Sequence, residues 1–137
     1  MSVPIDVIKQ VPLFKGLSDK ELKTLANNFT ERAFKVGQEL TSEGQGAAGF
    51  FVIESGEAAV TVDGEVRRKL AKGDYFGEVA LIDGGLRTAT ITAISDGKSY
   101  GLTPWQFRPL VEENASIAWP LLEAMAARVR ELEPRKG

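Results

Sequence analysis

The residues with the most chemical content sit in one run: Phe76-Gly77-Glu78-Val79-Ala80-Leu81-Ile82-Asp83-Gly84-Gly85-Leu86-Arg87-Thr88-Ala89-Thr90. Gly77 opens a predicted short helical turn, so the backbone N–H groups of Glu78, Val79 and Ala80 converge on one small volume. N–H groups at a helix start have no intrahelical acceptor, and they attract anions. Arg87, nine positions after Glu78, adds a permanent cation whose planar fork matches phosphate oxygens. Glu78 cannot serve a phosphate, because like charges repel. It can accept a hydrogen bond from a sugar hydroxyl. An anion cradle, a cation and an acidic hydroxyl reader in one segment imply a receptor for a ribose phosphate.

Such a constellation needs a scaffold, and the sequence describes one. Ser18 with Glu21 forms a capping box, and Leu22, Leu25, Ala26 and Phe29 fall on one face, predicting a helix over Asp19–Asn28. From Phe29 to Thr103 the signals are β. Gly49–Ile53 and Ala58–Val62 read as strands, Asp63-Gly64 as a tight turn into Glu65-Val66-Arg67, and Thr88–Ala93 as a strand with alternating sides. Asp96-Gly97 reads as a further turn before a strand over Ser99–Leu102. Glycines at 37, 44, 46, 49, 56, 64, 73 and 77 punctuate many short strands, as a jelly-roll sandwich or barrel requires. Thr103 then caps a helix opened by Pro104 and running to about Glu113. A second helix begins near Asn114–Ser116, and Pro120 requires a later start or a distorted first turn. Ala118, Leu122, Met125, Val129 and Leu132 follow at spacings of four and three, a short a/d seam. It reads either as an apolar face folded on the barrel or as a two-helix dimer contact. Residues 134–137 read as a frayed tail.

The run from Phe76 resembles the phosphate-binding cassette of the cyclic nucleotide-binding domain family, the jelly-roll type of catabolite activators and protein kinase A regulatory subunits. The resemblance is carried by Phe76-Gly77-Glu78-Val79-Ala80-Leu81 and Arg87-Thr88-Ala89-Thr90, with Leu86 standing where many members have proline. The order Gly37, Gly44, Phe50–Ile53, Gly56 and Gly73–Glu78 is similar too, so the likeness covers most of the chain. It implies a mainly β fold: a jelly-roll (double-stranded β-helix) barrel with N-terminal helices and two C-terminal helices. The whole chain, 1–137, is expected to be one domain, with the barrel at about 29–103 and the C-terminal helices at about 104–133.

Site roles follow from the same resemblance. Arg87 pairs with the exocyclic phosphate oxygens, Glu78 takes the ribose 2′-hydroxyl, and Gly77, Val79 and Ala80 act through their backbone. Ala89 completes the ligand-facing set beside Thr88, whose hydroxyl lies beside the phosphate and can also meet the 2-amino group of a guanine. Val60 and Leu70 either line the sugar and base side or simply pack the core, the plainer reading of each. Arg128 on the last helix either covers the base, pairs with the pocket acid, or is a solvated arginine beside Arg130. The ligand is expected to be cAMP, with cGMP also admitted.

Composition removes other classes. With no cysteine and no histidine, thiolate metal sites, disulfides, iron–sulfur clusters, His-ligated haem and His-based triads are excluded. A net charge of −2 gives no general attraction to nucleic acid or anionic membrane. Neither a membrane span nor a secretory signal is read, so the expected location is cytoplasmic. DNA-binding relatives carry a helix-turn-helix after this point, and the chain stops first; direct DNA binding is not expected. No metal ligands or activated nucleophile accompany the site, so no catalysis is expected. The expectation is a regulatory module that signals to an unknown effector through closure of its C-terminal helix. The alternative is an interaction or dimerisation protein that keeps the fold and no longer responds to nucleotide.

Overall fold

The computed structural model describes residues 4–41, 49–83 and 89–133. Two four-stranded antiparallel sheets carry the domain. One runs in the order β1 (Thr30–Phe34), β8 (Gly97–Leu102), β3 (Phe50–Ser55), β6 (Tyr75–Phe76). The other runs β2 (Glu39–Thr41), β7 (Thr90–Ala93), β4 (Ala58–Val62), β5 (Glu65–Leu70). Apart from the β4–β5 hairpin, sequence neighbours are thus divided between sheets, as in the expected jelly roll.

Two cores result. Phe34, Ile53, Ala58, Val60, Leu70, Ala89, Ile91 and Ala93 fill the barrel. The outer face of the first sheet, through Phe50, Val52, Tyr100 and Leu102, packs on helices. β3 is therefore apolar on both sides, which is why Phe50–Ile53 reads as a continuous run rather than an alternation. Phe14 meets the Phe50 ring edge-on at 5.6 Å and Phe29 meets it at 5.9 Å. These contacts join α1 (Ile5–Lys9), the 3₁₀ turn Pro12–Phe14 and α2 (Asp19–Ala26) to the sheet. The Ser18–Glu21 capping box forms as its residue types demand.

The Asp63-Gly64 turn has φ of 51° and 81°, the two positive values of a type I′ hairpin. Asp96-Gly97 differs. Gly97 is already in β8, opposite Phe34, and a side chain there would collide with the Ser55 carbonyl and the Phe34 ring. Asp96 instead accepts a hydrogen bond from the Val36 amide at 2.8 Å. The glycine serves close strand approach, not a turn.

After β8, Thr103 and Gln106 form a second capping box at the start of α4 (Pro104–Glu113), and Gln106 Nε2 donates to Asn28 O at 3.3 Å. α5 runs unbroken over Ala115–Leu132, with Pro120 inside it. The expected late start does not occur. Ile117 and Leu121 are buried on either side of the proline, and a Cβ on Gly16 would lie 3.3 Å from Pro120 Cβ, so tertiary packing holds this turn. The buried row is one position away from the a/d seam: Leu122, Val129 and Leu132 stay 58%, 54% and 78% exposed. No helix among the described residues is long and apolar enough to cross a membrane.

Candidate functional site

β6 ends at Phe76, and Gly77 turns the chain with φ of 92°, a conformation that glycine adopts without steric cost. The one-turn helix α3 (Ala80–Asp83) follows. Its first hydrogen bonds are donated by Leu81 to Glu78 O at 3.3 Å and by Ile82 to Val79 O at 3.0 Å. The amides of Glu78, Val79 and Ala80 thus precede the ladder, as the sequence requires of an anion cradle. Leu81 is buried in the helical core and fixes α3 against the body. Arg87 and Thr88 lie outside the described residues.

An open cleft of about 1180 Å³ lies in front of this turn. Its walls are the cassette residues Gly77, Glu78 and Val79, the Arg68 side of β5, Tyr75, and the α5 segment that carries Arg128. Glu78 projects here with its side chain only 12% exposed. Across the cleft Arg128 donates from Nη1 to Glu78 Oε1, linking positions fifty residues apart. Of the readings open for Arg128, the structure shows the pairing with the acid. That carboxylate raises the Arg128 pKa above its ordinary value. Burial pushes the Tyr75 phenol up, and the Glu78 carboxylate adds to the rise.

The remaining sequence candidates divide. Val79 is 40% exposed and Ala80 is buried beneath the turn. Val60, Leu70 and Ala89 belong to the barrel core, and none of them lines the cleft. Two cleft residues, Arg68 and Tyr75, were not among the expected site residues. Tyr75 lies directly before the cassette. Arg68 could have been found by counting back two from Leu70, since alternate strand residues share a face.

The sequence model of the cyclic nucleotide-binding domain matches residues 31–114. A cAMP-dependent protein kinase regulatory subunit of Eremothecium gossypii is 44% identical over 89 residues, 64% of this chain and 19% of that protein. A cGMP-dependent protein kinase of Eimeria tenella is 37% identical over 102 residues, 74% of this chain and 10% of that protein. The chain therefore spans less than a quarter of the length of these curated relatives. Among solved structures, the N-terminal domain of a transcriptional regulator from Streptomyces coelicolor A3(2) superposes with a TM-score of 0.85 at 28% identity, covering 96% of this chain and 99% of that one. With the family match covering more than half of its residues, this chain belongs to the cyclic nucleotide-binding domain family.

Proposed function

We propose that this domain is a non-catalytic receptor for a 3′,5′-cyclic purine nucleotide and reports occupancy through α5. The observation that carries this reading is the Glu78–Arg128 pair. Glu78 is the residue assigned to the ribose, and its partner is on the C-terminal helix, so the ligand's sugar and α5 act on the same carboxylate. The amides after Gly77 and the Arg87 cation take the phosphate. A ligand that alters the partition of Glu78 between sugar and guanidinium changes how firmly α5 sits over the cleft, and it shifts the helix only by its differential affinity for the two positions.

Hydrogen exchange tests this. Amides in the segment 118–132 should exchange more slowly when cGMP or cAMP saturates the protein, and Arg128→Ala should remove most of that slowing. Binding with no change in α5 exchange would leave a receptor without this output.

The exposed row Leu122, Val129 and Leu132 supports a second inference, that α5 also provides a homodimer contact. With the half-buried Met125 between Leu122 and Val129, the row has the alternating three–four spacing of a helix seam meeting a like helix. The effector is then a protein surface that senses α5, or a further part of a longer protein, and not DNA held by this domain.

A further inference from the structure

We propose that the groove between α3, α4 and α5 is a second ligand site, separate from the nucleotide cleft, and that it takes a small amphiphile with an apolar body and a cationic head. The inference goes beyond the receptor reading and does not depend on it.

Three helices build the groove. Ala118, Leu121, Leu122 and Met125 line it from α5, at the i, i+3, i+4, i+7 spacing of a single helical stripe. Phe107 and Val111 of α4 and Leu81 and Ile82 of α3 close the other sides. Leu81, Phe107 and Leu121 are 2%, 3% and 5% exposed, whereas Ile82 and Leu122 are 51% and 58% exposed. The first three are therefore the floor and the last two the open edge. Ala118 contributes only a methyl group to the α5 wall, and α3 is a single turn. Neither fills the space between the helices, and a hollow of about 360 Å³ remains.

Single exposed apolar side chains need no explanation, but a concave cluster of them marks an interaction site. Small-molecule sites are hollows of about 300–1,000 Å³, lined mostly by apolar side chains with a few polar groups. This groove meets both conditions. A stable contact with a second protein buries about 1,200–2,000 Å², which calls for a broad surface rather than one small hollow.

Among the described residues, the charged members of the lining are Asp83, Arg108 and Glu112, all of them exposed. Arg108 Nε and Glu112 Oε2 meet at 3.5 Å, so each offsets the charge of the other. Asp83 then sets the sign: the rim attracts a cation and repels an anion. An alkyl or aryl body on the floor with an ammonium at the rim satisfies both parts. Val79, Asp83 and Met125 border the groove and the nucleotide cleft alike. Glu78 and Arg128 border the cleft alone, which allows the two sites to be tested separately.

Calorimetric titration of the chain at neutral pH with hexylamine, octylamine, octanol and octanoate tests the assignment. Octylamine should bind one per chain. Each buried methylene is worth about fourfold in affinity, so hexylamine should bind roughly 15-fold more weakly. An exposed charge contact is worth about 2- to 5-fold; octanoate should bind more weakly than octylamine by at least that factor, with octanol between them. Glu112→Gln should bring octylamine and octanoate together, and Arg108→Gln should move them farther apart. Both changes are at exposed positions and leave the packing alone. Ala118→Phe, which fills the groove, should abolish octylamine binding, and Glu78→Gln should leave it unchanged. Equal affinities for hexylamine and octylamine, tighter binding of octanoate than of octylamine, or loss of octylamine binding in Glu78→Gln overturns the second site. A chain that binds octylamine in this pattern and binds no cyclic nucleotide overturns the receptor reading alone.

Discussion

Glu78 has two claimants, and its position explains both. It lies on the turn whose amides precede α3, and its carboxylate meets Arg128. A carboxylate has room for more than one donor, so a ribose hydroxyl can bind beside the guanidinium or replace it. A hydrogen bond to a charged group contributes about 1.5–3 kcal/mol. Removing the 2′-hydroxyl from the ligand should therefore weaken calorimetric binding by roughly tenfold or more. Glu78→Ala should bind the ribo and deoxy ligands equally. In the proposed complex Arg87 has the larger role. Truncating a paired, desolvated charge costs on the order of 2–5 kcal/mol, against about −8.2 kcal/mol for an entire micromolar complex. Arg87→Ala should nearly abolish binding in the same titration; affinity retained within a few-fold would remove Arg87 from the phosphate site.

Among the elements, legibility followed the range of the forces involved. The two helix starts at Ser18 and Thr103 were plain because a cap is settled by residues three positions apart. The I′ turn at Asp63-Gly64 was equally local. Gly97 misled because the same dipeptide also serves where strands crowd together, and the crowding comes from Ser55 and Phe34, far along the chain. Pro120 misled for the same reason: the packing that keeps its turn helical comes from Gly16 and from the burial of Ile117 and Leu121. The cassette was readable because its parts are contiguous. Arg68 was not, because its facing depends on the strand pairing with Val60. Long-range contact also gives the elements a pH response. Glu21 accepts a hydrogen bond from the Ser116 side chain at the start of α5 and others from Ser18, and these lower its pKa from the ordinary 4.5. A carboxyl with a depressed folded-state pKa contributes stability above its unfolded value, and the contribution is lost as pH falls through the folded value. Thermal melts should show wild type more stable than Glu21→Gln near neutrality, with the gap closing as the pH drops below 4.5.

For the whole molecule, the barrel is a fixed frame and the last helix is only partly committed to it. Ile117 and Leu121 bury the first turns of α5. Farther along, Leu122, Val129 and Leu132 face outward. Sedimentation velocity should detect a concentration-dependent dimer, and Leu122→Glu combined with Val129→Glu should shift it to monomer without changing the melting temperature by more than a few degrees. A species that is monomeric at every concentration would assign the row to some other partner.

The tie between Glu78 and Arg128 straddles the boundary with water: the acid is 12% exposed and the guanidinium 48%. Mobile ions can therefore approach it from one side only. The Debye length falls from about 8 Å at physiological ionic strength to about 3 Å at 1 M. A half-buried pair is screened much less than an exposed one, so added electrolyte should leave this tie largely in place while it weakens exposed pairs such as Arg108–Glu112.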